Sequence, residues 1–196
     1  MAQLFTDILE QGRQNFVRPG FVDSRDWFRE KARSVARMNE TKLMNSNAEL
    51  QRRIPMPGYM YMFVYDAKHK DTLPYYDRFP LVFPFSVQND GFTGINMHYL
   101  PHLLRARLMD SLYSLVTNNK FDEKTKLRMS YDILNSVSRH RLIAPCVKRY
   151  LYSHLKTRFL LVPSNEWDIA LFLPLERFNV NKRTVFNDSQ SIMRKL

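Results

Sequence analysis

Apolar and polar positions change rhythm several times along the chain, and each rhythm names an element. From Tyr59 to Tyr65 seven consecutive residues are apolar or aromatic, which predicts a strand over 59–65 with little polar surface on either face. Leu81, Phe83, Phe85 and Val87 then alternate, predicting a strand over 80–87. Asn89-Asp90-Gly91 supplies a hairpin turn, and 92–99 makes the return strand. Beyond Pro101, Leu104, Leu108, Leu112 and Leu115 recur at helical spacing. Asp122 can cap a second helix over about 123–137 and Pro145 can open a third over about 145–156, so residues 101–156 read as a three-helix insertion. "TRFLLVP" predicts a strand over 157–162. "EWDIALFLPLERF" predicts another over 167–173, although its beginning also suits a helix.

The flanks read differently. Asp23 or Ser24 can cap a helix over about 24–38, with Phe28, Ala32, Val35 and Met38 on its apolar side. Residues 39–55 are polar without clear period and suggest a linker or extended arm. Residues 181–196 are polar with two apolar islands, Val185-Phe186 and Ile192-Met193, as in tails that gain order on a partner. The expected class is α+β. A small twisted antiparallel sheet or barrel with a three-helix insertion spans 56–180, behind an N-terminal helix and arm (1–55) and ahead of a C-terminal tail (181–196).

One segment strains this outline. "DTLPYYDRFPLVFPF", residues 71–85, holds five aromatics and three prolines. Proline cannot donate to a ladder, so Pro80 and Pro84 predict an edge strand, or one paired through alternate amides only. An edge made stiff in this way resists promiscuous pairing, and its rings imply at least one buried face.

Composition narrows the options. The chain has 196 residues, 44% hydrophobic and 13% aromatic, enough for one domain with a true core. No run approaches the roughly 18 apolar residues of a membrane span, and the opening residues, with Asp7 and Glu10, do not read as a signal peptide. The single cysteine, Cys146, excludes an internal disulfide and a cysteine-based zinc cluster, and reads as a buried thiol. Net charge is +11, unevenly spread: residues 59–100 carry three basic and four acidic side chains, and 101–156 carry eleven and four. A +7 segment attracts nucleic acid or an acidic protein surface, and it also reads as a plain solvated face.

Candidate chemistry is sparse. Pro101 separates His98 from His102, and no further histidine or carboxylate joins them in a metal-ligand spacing. "GFTG" (91–94) is a hairpin tip and not a phosphate-cradling loop. Cys146 has no orienting partner for nucleophilic work. Asp66, Asp71 and Asp77 lie among turn residues with Lys68, Lys70 and Arg78 interleaved. We therefore expect no enzyme, no cofactor and no metal. Arg25, Arg29, Arg33 and Arg37 recur every fourth residue, which suits a grip on phosphates or carboxylates and equally a solvated helix face. The aromatics of 59–99 and the cations after them are separate in sequence, which argues against a stacking platform that reads bases.

Three blocks together carry a resemblance: "SRDWFREKA" (24–32), the segment from "GYMYMFVYDAKHKDTLPYYDRFPLVFPF" to "HYLP" within 58–113, and "EWDIALFLPLERF" with "VFNDSQ" in 166–190. The chain resembles a family of small proteins encoded by large contractile-tailed phages. The resemblance implies a structural protein of the tail or baseplate, made in the host cytoplasm and carried in the virion. Its partners would be other phage structural proteins in a symmetric assembly, with no membrane. It brings no catalytic residues. Trp27, Phe28, Tyr75, Tyr76, Phe79 and Phe186 are the expected contact anchors, joined by the four arginines, with plain core packing an equal alternative for Phe79 and Trp27. The alternative is a DNA-binding, DNA-end or packaging protein using the basic residues of 101–156. A third option is an assembly chaperone.

Overall fold

The computed structural model describes residues 40–45, 47–100, 105, 122–140 and 143–195. The expected 24–38 helix with its arginine row, Trp27 and Phe28, and most of the leucine-rich helix after Pro101, lie outside these. Among the described residues six strands form one antiparallel sheet. They are β1 (Gln51–Arg52), β2 (Met60–Met62), β3 (Leu81–Gln88), β4 (Gly91–Asn96), β5 (Val147–Leu151) and β6 (Phe159–Val162), in the order β1-β6-β2-β3-β4-β5. Four α-helices accompany them: α1 (Glu40–Asn45), α2 (Glu123–Ser138), α3 (Trp167–Phe172) and α4 (Lys182–Lys195). The α+β class holds.

The hairpin lies where the alternation put it, with Val87 opposite Phe92 and Phe83 opposite Ile95. The proline expectation does not hold, because β3 is an inner strand, between β2 and β4. It tolerates Pro84 because β2 pairs only with Leu81 and Val82, and because the β3–β4 register slips between Pro84 and Ser86. The Pro84 carbonyl is used instead by the Gly58 amide, at 3.2 Å.

Two further elements correct the sequence expectations. The helix expected over 145–156 is a short 3-10 turn at Ala144–Cys146 followed by strand β5. This strand pairs with β4, where Gly91 lets the β5 backbone approach, since a Cβ there would lie 2.0 Å from the Tyr150 carbonyl oxygen; Gly94 instead makes room for β3, a Cβ there lying 2.4 Å from Val82 Cγ1. The expected strand 167–173 is instead helix α3. Its Trp167 ring meets Phe83 edge-on at 4.9 Å, and its indole N–H donates to the Val162 carbonyl at 3.0 Å. Leu171 and Ala170 bury with it, as helical spacing requires.

Two stretches expected to be irregular contain regular elements among the described residues. Residues 39–55 supply α1 and β1, and β1 extends the sheet by pairing with β6. The C-terminal tail is helix α4, which buries Val185, Ser189 and Met193, a stripe at spacing four that the protein's own core covers. Helix α2 starts where Asp122 predicted, the carboxylate accepting the Thr125 amide at 2.7 Å.

Both sheet faces are buried, by different means. On one, Met60, Met62, Leu81, Phe83, Ile95, Leu160 and Val162 pack against α1, α3 and α4 and against Leu134 of α2. On the other the sheet curls onto itself. β5 and β6 sit near opposite ends of the strand order, yet residues 152–158 suffice to join them, and Leu155 bridges back to Tyr65 beyond the end of β2. Rings from across the sheet meet inside the curl: Phe63 lies 5.1 Å from Tyr150, 5.2 Å from Phe159 and 5.7 Å from Phe92. Such edge-to-face contacts each contribute roughly 0.5–1.5 kcal/mol beyond area burial.

Gly94→Ala should therefore destabilise the fold by about 2–3 kcal/mol, an overpacking cost, while Thr93→Ala next to it should cost under about 1 kcal/mol. Urea denaturation midpoints of the two variants measure the difference.

Candidate functional site

The floor of the site is a buried polar cluster. Asp77 and His98, 21 residues apart, are essentially sealed from solvent, with His98 Nδ1 2.6 Å from Asp77 Oδ2. Oδ1 accepts from the Phe79 amide at 3.1 Å and the Arg177 amide at 3.0 Å, and Oδ2 also accepts from Asn96 Nδ2 at 3.3 Å. Burial pushes the Asp77 carboxyl up, but the His98 charge and these hydrogen bonds together hold it below the usual carboxylate range. An ionised Asp77 can only accept, so His98 Nδ1 carries the hydrogen between them. Asn96 shares its amide with the Tyr150 hydroxyl at 3.0 Å, and its side-chain oxygen accepts from the His98 amide at 3.0 Å.

Arg105 locks this cluster to α3. Wholly buried, it donates to the carbonyls of Leu100 (2.7 Å), Leu171 (2.9 Å) and His98 (3.1 Å). Its guanidinium lies 5.9 Å from the centre of the Phe186 ring. Burial pulls its pKa down, opposed by Glu176 and Asp77. His98 Nε2 and Glu176 Oε2 are buried without hydrogen-bond partners, while Lys182 reaches Glu176 Oε1 at 3.2 Å.

Above the cluster opens a cavity of ≈ 410 Å³, within the roughly 300–1,000 Å³ range of small-ligand sites. Tyrosines 65, 75, 76, 99 and 150 line it, with Asp77 at its base. Four basic side chains, Lys68, His69, Lys148 and Arg149, and the apolar Ala67, Leu73 and Leu151 complete the lining. Lys148 is set by β5, opposite Gly94, and its Nζ lies 4.3 Å from the centre of the Tyr99 ring. Burial lowers its pKa. Arg149 pairs with Asp90 at 2.5 Å on the open side of the strand. The Tyr75 hydroxyl is raised by burial and by nearby Asp188.

The structure thus joins what the sequence keeps apart. Lys148 and Arg149, from the basic segment, stand among tyrosines of the neutral aromatic segment, because β5 is a strand on β4 and not a helix pointing away. Of the expected anchors, Tyr75 and Tyr76 line the cavity. Phe79 is only 2% exposed and packs in the core, and Phe186 is half-buried on α4 beneath Arg105. Trp27, Phe28 and the arginines at 25, 29, 33 and 37 fall outside the described residues. Sequence reasoning missed Tyr99, Tyr150, Lys148 and the Asp77–His98 pair. The one available signal was a lone Asp and a lone His within otherwise apolar runs. Cys146 is buried, its thiol pushed up to about 12, as suits an inert residue. Among the described residues no three His, Cys, Asp or Glu side chains gather as a metal site requires, and no helix is long and apolar enough to cross a membrane.

Asp77→Asn should cost about 3 kcal/mol, since it leaves His98 buried beside an uncharged partner. The pH dependence has a definite sign. Asp77 is lowered from 3.8, so its stabilisation is complete above that value and is lost as pH falls below it toward the depressed folded pKa. Thermal melts from pH 6 to pH 2.5 should show a shallower acid limb for Asp77→Asn than for the natural chain.

A family model described as "Phage T4 terminal DNA protecting protein" matches residues 19–195. No curated protein and no solved structure matches the chain. The phage origin expected from the resemblance therefore stands, whereas the tail or baseplate role is overturned by a family described by DNA ends. With nearly the whole length matched, the chain belongs to the phage T4 terminal DNA protecting protein family.

Proposed function

We propose that this protein binds the ends of linear duplex DNA and shields them by occupancy, without chemistry of its own. The observation that carries the reading is the cavity, in which Lys148, Arg149, Lys68 and His69 stand among stacking tyrosines, the pairing of cation and ring that single-stranded or frayed nucleic acid uses. The family description supports it. So does the charge of residues 101–156, eleven basic against four acidic side chains, which supplies long-range attraction for phosphates. The arginines at 25, 29, 33 and 37 are further candidates for backbone contact. On this reading the protein travels on the genome end within the virion, after synthesis in the host cytoplasm.

Binding to a linear duplex and to a covalently closed circle of the same sequence separates end recognition from general DNA affinity. The full-length protein should bind the linear form at least tenfold more tightly and slow its degradation by an exonuclease. Affinity should fall log-linearly with salt, with a slope of about −0.9 per phosphate neutralised. Equal affinity for line and circle, with no protection, would sink the proposal.

A further inference from the structure

We infer that the tyrosine-lined cavity seats the terminal nucleotide of a DNA end, its base against the rings and its phosphate on Lys148. This rests on the end-binding reading above and assigns it a place. Lys148 is a largely buried cation whose ammonium sits on the Tyr99 ring, and no carboxylate pairs with it among the described residues. The carboxylate at the cavity base, Asp77, is already held by His98, Asn96 and two backbone amides. Arg149 is engaged by Asp90. Lys148 is therefore a positive charge without a counter-ion among the described residues, next to flat rings: Tyr75 and Tyr99 lie 6.1 Å apart with their planes inclined by 36°. An anion attached to an aromatic system answers both features, and a nucleotide is that ligand. Lys68 and His69, which share the lining with Lys148, suit the next phosphate along the strand.

The same geometry accounts for a preference for ends. A base inside a duplex reaches a pocket only by being flipped out against stacking and pairing on both sides. A terminal base has one stacking neighbour and frays, so it enters at much smaller cost. Base–tyrosine stacking tolerates every sequence, because each base has a π-face. The cavity is thus a device for sensing termini without reading sequence.

Lys148→Met keeps the length and apolar contacts of the side chain and removes the charge. We expect it to weaken binding to a blunt linear duplex tenfold or more, with a melting temperature equal to or above that of the natural chain, since an uncompensated buried charge is gone. Photo-crosslinking of the natural chain places the base independently of any variant. 5-Iododeoxyuridine at the terminal position should crosslink to Tyr75, Tyr76, Tyr99 or Tyr150, and the same base five positions inward should not. If the natural chain prefers ends but Lys148→Met binds them undiminished, or the terminal base crosslinks elsewhere, the cavity assignment is overturned and the end-binding function stands. If the natural chain shows no preference for ends, the function falls and the assignment with it.

Discussion

Asp77 is the point at which three distant parts of the chain are forced into one arrangement. A carboxylate removed from water is tolerable only when its lone pairs are filled, and Asp77 fills them from His98 and Asn96 at the end of β4, from the amide of Phe79 and from the amide of Arg177 in the C-terminal strap. Around it residues 76–78 run antiparallel to 177–179, with Arg78 N–H donating to the Arg177 carbonyl and Tyr76 N–H to Asn179 Oδ1. Arg177 reaches Glu40 of α1 at 3.2 Å. Shifting any one of these segments leaves a buried charge unpaired, so the cluster enforces one register on the tyrosine loop above it.

The curl of the sheet then decides what lies above that floor. A flat six-stranded sheet would need a second layer on each face. Here helices cover one face, and the other closes over its own rings, brought together by the two glycines of β4 and the short link from β5 to β6. Closure is incomplete where the 66–77 segment meets β5. The cavity is the remaining gap, walled by Tyr65, Tyr76 and Tyr150 of that aromatic cluster and by Tyr75 and Tyr99 of the helix-covered core. The site is a continuation of the core, which gives its tyrosines fixed positions rather than loop-like freedom.

What the sequence disclosed follows from which forces are local. The 81–96 hairpin was legible because period-two alternation and a turn tripeptide are local properties, and α2 was legible because Asp122 caps it. β5 was misread because "VKRYLYSHL" carries no clean period, and its strand state depends on the edge of β4, where Gly91, some 55 residues earlier, admits its backbone. α3 was misread because a mostly apolar helix and a buried strand look alike in a short apolar run. Phe79 and Tyr75 are near neighbours with the same aromatic character, yet one is core and one lines a cavity. The difference is set by the Asp77 floor, which no spacing reveals. The cation–aromatic site escaped notice because its two halves lie some 70 residues apart and meet only once β5 is a strand.

Lys148 is the residue on which the proposed nucleotide seat turns. A lysine largely withdrawn from water, with a ring face in place of a counter-ion, is a cost to folding that any apolar residue of the same length would avoid. Carboxylates are scarce in a chain of net charge +11, yet Asp66 is placed on the surface with both Lys70 and Lys156, where such pairs contribute little. Leaving the buried cation without one keeps it available to an incoming anion, and such an anion stabilises the folded chain by mass action in proportion to its affinity. The cost is borne in the free protein and offset in the bound one. That is the arrangement expected of a binding site held ready by a rigid fold.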